Sequence, residues 1–183
     1  MAIAIPEKKR YTYEDYAKLP EGAPYQLIGG ELIMTPAPTP YHQRISSKLG
    51  YFLCDFIFKR NLGEVFNAPI DVYFEETETY QPDIIFISKE RLDIIKETKI
   101  EGAPDLVIEI LSPATAYYDL RKKFKIYEKH GVKEYWIVDP EEKSIEIYQN
   151  QEGKFKLIQM AKEKDTVNSS LFKDFELNLE KIF

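Results

Sequence analysis

The fold is decided by the stretch APDLVIEILSPATAYYDLRKKFKIYEKHGVKEYWIVD, which runs from Ala103 to Asp139. Its first part, Leu106 to Leu111, is a short apolar run rich in branched residues and closed by Ser112-Pro113, as expected of a buried strand. One carboxylate, Glu109, interrupts the run. Because an ionised carboxylate is costly to bury unless a cation or hydrogen-bond donors lie against it, Glu109 requires a partner.

Alternation along this strand divides its residues between two faces of a sheet. One face carries Asp105, Val107, Glu109 and Leu111, and the other carries Leu106, Ile108 and Ile110. Asp105 shares the face of Glu109, but it follows Pro104 and is interpreted as the residue that begins the strand rather than as a ligand.

The partner of Glu109 is predicted on the helix that follows, from about Tyr117 to His130, with Gly131 as its C′ residue. Its predicted apolar stripe consists of Leu120, Phe124 and Tyr127, and Lys123 falls on the same stripe. The remaining lysines, Lys122, Lys125 and Lys129, point the opposite way. Lys123 and Glu109 are therefore predicted to belong to one buried polar site, with Lys122 as the alternative if the helix is rotated.

The rest of the chain is predicted from local signals. Gly29-Gly30 between two apolar segments indicates a hairpin. Thr39 and Pro40, as N-cap and first helical residue, predict a core-facing helix from Pro40 to Arg60. Further predicted strands are Glu64–Asn67, Ile70–Phe74, Asp83–Ile87, Glu134–Val138, Ser144–Gln149 and Lys154–Met160, with a solvated polar turn at 75–79.

Two further polar residues lie at the ends of predicted elements. Asp83 follows Pro82 where a strand begins, so its carboxylate is placed at the edge of a sheet, although a residue that caps a turn has the same pattern. His42 lies in the first turn of the long helix, where a histidine is more often a capping or surface residue than a ligand.

Composition limits the class of protein. With 183 residues the chain is expected to form one domain, residues 11–183, behind a flexible N-terminal arm, residues 1–10. A single cysteine, Cys54, excludes an internal disulfide and a Cys-based zinc cluster, which favours a cytoplasmic location. The 25 basic and 31 acidic residues argue against a broad cationic face for nucleic acid. No apolar run is long enough to predict a membrane span.

The order of these residues resembles the Uma2 family, also called DUF820. Members are small bacterial proteins assigned to the PD-(D/E)XK nuclease superfamily as restriction-type endonucleases. The resemblance runs from about Tyr11 to the C-terminus and is carried by Gly30-Glu31-Leu32, Gln81-Pro82-Asp83, Glu109-x-x-Ser112-Pro113-x-Thr115, Asp119, Lys123, Tyr127 and Gly131 to Pro140. It implies an α/β, restriction-endonuclease-like fold with a central mixed twisted β-sheet flanked by α-helices.

The resemblance also implies a metal site. Asp83 matches the aspartate of the Pro-Asp element, Glu109 matches the acid of the (D/E)XK element, and the main-chain carbonyl of Ile110 matches the third protein ligand. Oxygen ligands of this kind suit Mg²⁺ or Mn²⁺. The chain departs from the superfamily at Leu111, where a lysine is expected, and Lys123 on the following helix matches the displaced lysine.

These residues predict a metal-dependent endonuclease that hydrolyses DNA phosphodiester bonds, with Lys123 assisting the attacking water. By resemblance, Glu31 would extend the metal shell through water and His42 would act as an auxiliary base or ligand. A homodimer is expected by analogy, because two sites would act on two strands.

Other interpretations of the same residues remain open. Lys123 can pair with Asp119 four residues earlier, and Glu109 with Lys123 can be a structural ion pair. In that case the chain would be a nucleic-acid-binding or protein-interaction module of the same fold. It would be catalytically silent by itself and active only with an unknown protein partner.

Overall fold

The computed structural model describes residues 10–113 and 116–183, so residues 1–9 of the predicted arm (residues 1–10) and the motif residue Thr115 lie outside the described residues. The helices are α1 Tyr13–Tyr16, α2 Pro40–Arg60 and α3 Phe124–Lys129, with a π-helical turn over Tyr118–Lys123, called the π-turn below, and 3₁₀ turns at Lys89–Ile94 and Leu179–Lys181. The strands are β1 Tyr25–Ile28, β2 Glu31–Met34, β3 Gly63–Asn67, β4 Val72–Glu75, β5 Glu78–Tyr80, β6 Ile84–Ser88, β7 Ile100–Glu101, β8 Leu106–Ile110, β9 Glu134–Asp139, β10 Ser144–Gln151, β11 Lys154–Lys162, β12 Thr166–Asn168 and β13 Glu176–Asn178.

The strand that carries Glu109 lies inside a six-stranded mixed sheet of order β11-β10-β9-β8-β6-β3. Strands β8 and β9 run parallel, with Glu109 opposite Ile137, and the π-turn and α3 form the crossover between them. On the other side β6 is antiparallel to β8, with Ile84 opposite Ile108. This register brings Asp83, which precedes β6, beside Glu109.

The two faces of β8 are both covered, as the alternation predicts. Its Leu106, Ile108 and Ile110 pack in one core cluster with Ile45, Leu49, Leu53 and Ile57 of α2. Val107 packs in a second cluster with Tyr127 of α3 and residues of the five-stranded sheet. Glu109 therefore points to the layer that holds α3, while α2 lies against the opposite face.

That five-stranded sheet has the order β2-β1-β5-β4-β7. The predicted hairpin is present, and both turn residues have positive φ, 63° at Gly29 and 77° at Gly30. The prediction of a solvated turn at 75–79 was wrong for its second half, because Glu78–Tyr80 forms a buried strand. The Glu78 carboxylate is tolerated in this strand because Gly29 N and Tyr80 Oη donate to its Oε2 at 2.8 Å and 2.5 Å.

The helical crossover differs from the prediction in its geometry. Its first part is the π-turn, and the stripe prediction was wrong for Leu120, which is 43% exposed. The buried residues are instead Asp119, Lys123 and Tyr127. Asp119 and Lys123 are four residues apart, and their side chains meet on the inner face of the turn, with Lys123 Nζ 2.9 Å from Asp119 Oδ1. The inward position predicted for Lys123 is confirmed, and Asp119 joins it.

The prediction of one central sheet was also incomplete, because the described strands form the six-stranded and five-stranded sheets together with a β12-β13 pair. The C-terminal segment closes the α2 side of the core through Phe172, Phe175, Leu177, Leu179 and Ile182. In the described ranges, no helix is both long and apolar enough to cross a membrane.

Candidate active site at the end of the central strand

Glu109 is the centre of a buried polar cluster and is only 3% exposed. Lys123 Nζ lies 3.0 Å from Glu109 Oε1, and the hydroxyl of Tyr127 donates to the same oxygen at 2.5 Å. The predicted contact between the strand carboxylate and the helix lysine is therefore present. Both donors bind Oε1, so neither of them occupies the second oxygen, Oε2.

Lys123 is shared between two carboxylates. Its Nζ lies 2.9 Å from Asp119 Oδ1 in addition to the contact with Glu109, and its side chain is 2% exposed. Burial lowers the pKa of Lys123, but the negative charges of Asp119 and Glu109 outweigh burial and raise it above its ordinary value. Lys123 is a fixed cation in this arrangement.

The charge on Glu109 is opposed by its surroundings. Burial raises the pKa of Glu109 most strongly, the Lys123 ammonium lowers it, and the nearby Asp119 and Asp83 carboxylates raise it again, to about 8. The single lysine is thus outweighed by burial and by two further acids. A strongly perturbed carboxylate beside other acids is typical of a functional site, and an additional cation would relieve it.

Asp83 reaches across to the strand of Glu109. Its Oδ2 accepts a hydrogen bond from the backbone N–H of Ile110 at 2.7 Å, and its own carbonyl accepts from Ala68 N at 2.9 Å. The Asp83 side chain is 18% exposed. The alternative that Asp83 caps a local turn is not supported by this contact, because its carboxylate is bound to a different strand.

His42 approaches Asp83 and Ile110 from the first turn of α2. Thr39 Oγ1 accepts from His42 N at 3.2 Å and fixes the first turn of α2. The imidazole Nε2 then lies 3.0 Å from the carbonyl oxygen of Ile110 and 3.5 Å from Asp83 Oδ2. Burial lowers the pKa of His42, yet the hydrogen bond and charge of Asp83 outweigh it, so the pKa is raised.

These distances test whether the residues fit a metal ion. Within the described ranges, no three His, Cys, Asp or Glu side chains are grouped closely enough to hold a metal by themselves. Asp83 Oδ2 and the Ile110 carbonyl oxygen nevertheless share one polar neighbour, His42 Nε2, at 3.5 Å and 3.0 Å. Carboxylate and carbonyl oxygens are the ligand types that Mg²⁺ and Mn²⁺ take. The chemistry of the Asp83 and Ile110 oxygens, which both lie near His42, therefore suits a small divalent cation.

Glu31 and Lys122 lie apart from this cluster, on the outer side of the crossover. Lys122 Nζ is 3.6 Å from Glu31 Oε2, with side chains 37% and 63% exposed. The alternative in which Lys122 replaces Lys123 in the buried site is therefore wrong. Glu31, at the start of β2, has its described contact with Lys122 rather than with Asp83 or Glu109.

A polar network that supports Asp83 was not predicted. The side chain of Gln81 donates to Asp71 Oδ1 at 2.9 Å, and Tyr16 Oη donates to the same oxygen at 2.7 Å. The backbone N–H of Gln81 donates to Gln26 Oε1 at 2.9 Å. These contacts fix the backbone two residues before Asp83. The residues lie far apart in the sequence, so no local periodicity could have grouped them.

Comparison with known proteins gives consistent results. The profile of the Uma2 family, described as "Putative restriction endonuclease", matches residues 13–180. The chain is similar to "Uncharacterized protein sll1609" of Synechocystis sp. (strain ATCC 27184 / PCC 6803 / Kazusa), with 26% identity over 151 residues that cover 80% of this chain and 85% of the relative. A second protein of that organism, slr1290, is 24% identical over 131 residues, which cover 70% of this chain and 68% of the relative.

A crystal structure from Anabaena variabilis ATCC 29413, described as a putative nuclease belonging to DUF820, has a TM-score of 0.78 and 25% sequence identity. The likeness covers 94% of this chain and 97% of that chain. The predicted restriction-endonuclease-like α/β fold is confirmed by this likeness. Because the family profile spans nearly the whole sequence as well, the chain belongs to the Uma2 family.

Proposed function

We propose that this protein is a Mg²⁺- or Mn²⁺-dependent endonuclease that hydrolyses DNA phosphodiester bonds. The observation that carries the proposal is the convergence at one end of β8. There Glu109, held by Lys123 and Tyr127, lies next to Asp83, whose carboxylate is bound to the backbone of Ile110. The family description and the nuclease neighbour in Anabaena support hydrolysis of nucleic acid.

The metal ligands in this proposal are Asp83, Glu109 and the main-chain carbonyl of Ile110. A bound divalent ion would polarise the scissile phosphate and lower the pKa of the attacking water. Asp83 and Glu109 differ in exposure and would contribute differently to metal binding. Asp83 is partly exposed and open to substrate, whereas Glu109 is buried and is held at one oxygen by two donors.

Lys123 acts as a fixed positive charge rather than as a base. Its contacts with Asp119 and Glu109 raise its pKa, so it keeps its proton throughout the neutral range. It therefore orients Glu109 and stabilises the negative charge that develops on the phosphate, and does not deprotonate water. Tyr127 assists by fixing Glu109 Oε1.

His42 and Glu31 take auxiliary roles. The Nε2 atom of His42 lies against two acceptors, Asp83 Oδ2 and the Ile110 carbonyl, and donates a proton there. After loss of that proton it would serve as an additional ligand or as a base for the attacking water. Glu31 lies 3.6 Å from Lys122 at the outer side of the crossover. From there Glu31 would extend the metal shell through water molecules. A homodimer remains part of the proposal, and light scattering after size exclusion would contradict it by giving the monomer mass of 21.5 kDa at micromolar concentration.

A second candidate function is favoured by the burial of Glu109 and Lys123, which are 3% and 2% exposed. A cluster closed to this degree suits a binding module that is opened by a protein partner. In that case cleavage would be seen only with a co-purified partner.

Nicking of supercoiled plasmid tests the proposal. The wild type is expected to cut with Mg²⁺ or Mn²⁺ and to be inactive in EDTA. The variants Glu109→Ala and Lys123→Ala should lose more than about a hundredfold in rate, beyond the roughly 10–100-fold typical of outer-shell partners of a metal. Asp105→Asn is the matched control, because Asp105 is a buried acid of the same strand face and should not change cutting by folded protein.

The contrary results are equally specific. A wild type that binds Mn²⁺ yet cuts neither plasmid nor labelled single-stranded DNA would favour the partner-dependent module. Cutting that survives both Glu109→Ala and Lys123→Ala would show that the buried cluster is structural.

A further inference from the structure

A groove lies beside the candidate active site, between α2 and the end of β3. It is open to solvent and has a volume of about 370 Å³. The α2 wall presents side chains at helical spacing, and the other wall is the end of β3. The residues that matter for its chemistry are Gln43, Ser46, Ser47, Tyr51, Cys54 and Asn67.

One end of the groove lies next to backbone that contacts the candidate site. On the helix wall, Gln43 follows His42 directly in the chain. On the strand wall, Ala68 lines the groove and donates its N–H to the carbonyl of Asp83 at 2.9 Å. Tyr51 lies eight residues beyond Gln43, about 12 Å along the helix at 1.5 Å per residue. The groove therefore leads away from the backbone contact between Ala68 and Asp83.

The lining carries no ionised side chain among the described residues, although 31% of the whole sequence is charged. Burial and the nearby Glu64 carboxylate, which is not part of the lining, raise the pKa of the Cys54 thiol, so this group is neutral as well. The Asn67 amide donates to Ser46 Oγ at 3.3 Å, and it lies so close to Gly50 that an added Cβ there would meet Asn67 Nδ2 at 2.9 Å. Amides and hydroxyls without charge suit a nucleobase better than a phosphate.

An aromatic ring completes the groove. Tyr51 is 65% exposed, and its ring is set edge-on against Phe52, with ring centroids 5.3 Å apart. Exposed aromatic rings beside nucleic-acid sites stack with bases, and a base already paired in a duplex does not offer its face. Gln43 and Asn67 supply the donors and acceptors that would bind the edge of such a base.

We propose that this groove binds an unpaired nucleobase of the strand that is cut, stacked on Tyr51 and hydrogen-bonded by Gln43 and Asn67. The inference rests on the proposed nuclease function and specifies its substrate as a strand with unpaired bases next to the scissile phosphate. Tyr51, Gln43 and Asn67 are then specificity residues, whereas Asp83 and Glu109 supply the chemistry.

Binding of a fluorescent ten-nucleotide thymidine oligonucleotide in EDTA tests the groove without any cleavage. The reference probe is an abasic strand of equal length, which keeps the phosphates and lacks the bases. Tyr51→Ala is expected to raise the Kd for the thymidine probe about tenfold, and Tyr51→Phe to retain binding. Phe58→Ala is the matched control, because Phe58 is a 52% exposed aromatic residue of the same helix outside the groove.

The proposal is overturned if the abasic strand binds as tightly as the thymidine probe, if Tyr51→Ala and Phe58→Ala have equal effects, or if the wild type binds neither probe. Its failure is distinguishable from failure of the nuclease function. Metal-dependent plasmid cutting with no effect of Tyr51→Ala on probe binding would refute only the groove. Tyr51-dependent binding without cutting would refute only the nuclease.

The chain's single cysteine gives an independent readout, because Cys54 lines the groove. The thymidine probe should slow alkylation of Cys54 by a maleimide, and the abasic strand should not. A Cys54→Ser, Glu152→Cys double variant places the thiol on the exposed β10–β11 turn and should react at a rate independent of the probe. Unchanged alkylation of Cys54 at saturating probe would contradict the proposal.

Discussion

Asp105 and Glu109 lie on the same face of one strand region, four positions apart, and are 1% and 3% exposed, yet their surroundings differ. Asp105 accepts from Ser88 N at 2.8 Å, and its Oδ1 lies 3.2 Å from Arg91 Nη1 and 2.6 Å from Lys133 Nζ. Burial raises the pKa of Asp105, but Lys133, Ser88 and Arg91 outweigh burial and lower it. For Glu109 the balance has the opposite sign, and its pKa is raised to about 8.

The difference separates a structural acid from a candidate catalytic acid. Asp105 has two cations of its own, whereas Glu109 shares the one cation described near it with Asp119. Burial alone therefore does not identify a site, because both acids are buried. An acid that is buried with too little compensating charge is the one that would gain from a metal ion.

The largest expected effect is on folding stability. Asp105→Ala removes the acceptor of Ser88 and the counter-charge of Arg91 and Lys133, and should reduce the free energy of unfolding by about 3 kcal/mol. For a chain of this length the melting temperature would fall by about 6–12 °C. Glu109→Gln should not destabilise the metal-free protein at pH 7, because the amide oxygen can still accept from Lys123 and Tyr127 and the amide carries no buried charge.

Thermal unfolding at pH 7 in EDTA measures both variants, with Phe58→Ala as a surface control. Equal destabilisation by Asp105→Ala and Glu109→Gln would remove the distinction between the two acids. Glu109 would then be a structural residue.

A smaller effect is expected from metal binding. Mn²⁺ at ten times its Kd should stabilise the wild type by about 1.4 kcal/mol, which corresponds to about 3–6 °C in melting temperature. Asp105→Asn should show the same increase, while Asp83→Asn and Glu109→Gln should show little or none. Addition of EDTA should reverse the increase. An equal response of all four proteins would place the metal elsewhere.

A separate effect is expected on the pH dependence of stability without metal. Because the folded pKa of Glu109 is raised, its contribution to stability is complete below about pH 4.5 and is lost as the pH rises through about 8. The folded pKa of Asp105 is lowered, so its contribution is present above about pH 3.8 and is lost as the pH falls through its folded value.

Urea unfolding of the wild type and the variants from pH 3 to 9 measures these slopes. Glu109→Gln should flatten the decline between about pH 4.5 and 8, and Asp105→Asn should flatten the loss at acid pH. If the two residues changed the free energy of unfolding in the same direction as the pH rises, the opposite pKa shifts assigned to Glu109 and Asp105 would be contradicted.

Local sequence was sufficient for much of the fold. The branched run at Leu106–Ile110, the Gly29-Gly30 turn and the capped start of α2 each predicted the element that is present. Buried strand β5 was missed, because Glu78 and Thr79 have the composition of a turn. Their burial depends on partners distant in sequence, such as Gly29 N for Glu78.

The candidate site was predictable only in part. The need of Glu109 for a cation and the inward position of Lys123 follow from the apolar pattern around each residue. The contact of His42 with Ile110 was not derivable, because it joins residues 68 positions apart in the chain. The support of Asp83 by Gln81, Asp71 and Tyr16 is also a long-range contact.

The sequence by itself determined which strand is buried, that Glu109 interrupts it, and that a lysine on the next helix can face it, because alternation and helical spacing are local properties of the chain. Only the tertiary structure decided the protonation balance. The antiparallel register of β6 brings Asp83 to Glu109, and the packing of the crossover on β8 brings the Asp119–Lys123 pair against Glu109. The pKa of Glu109 reflects the balance between burial and these charges. That balance depends on distances that local sequence does not encode.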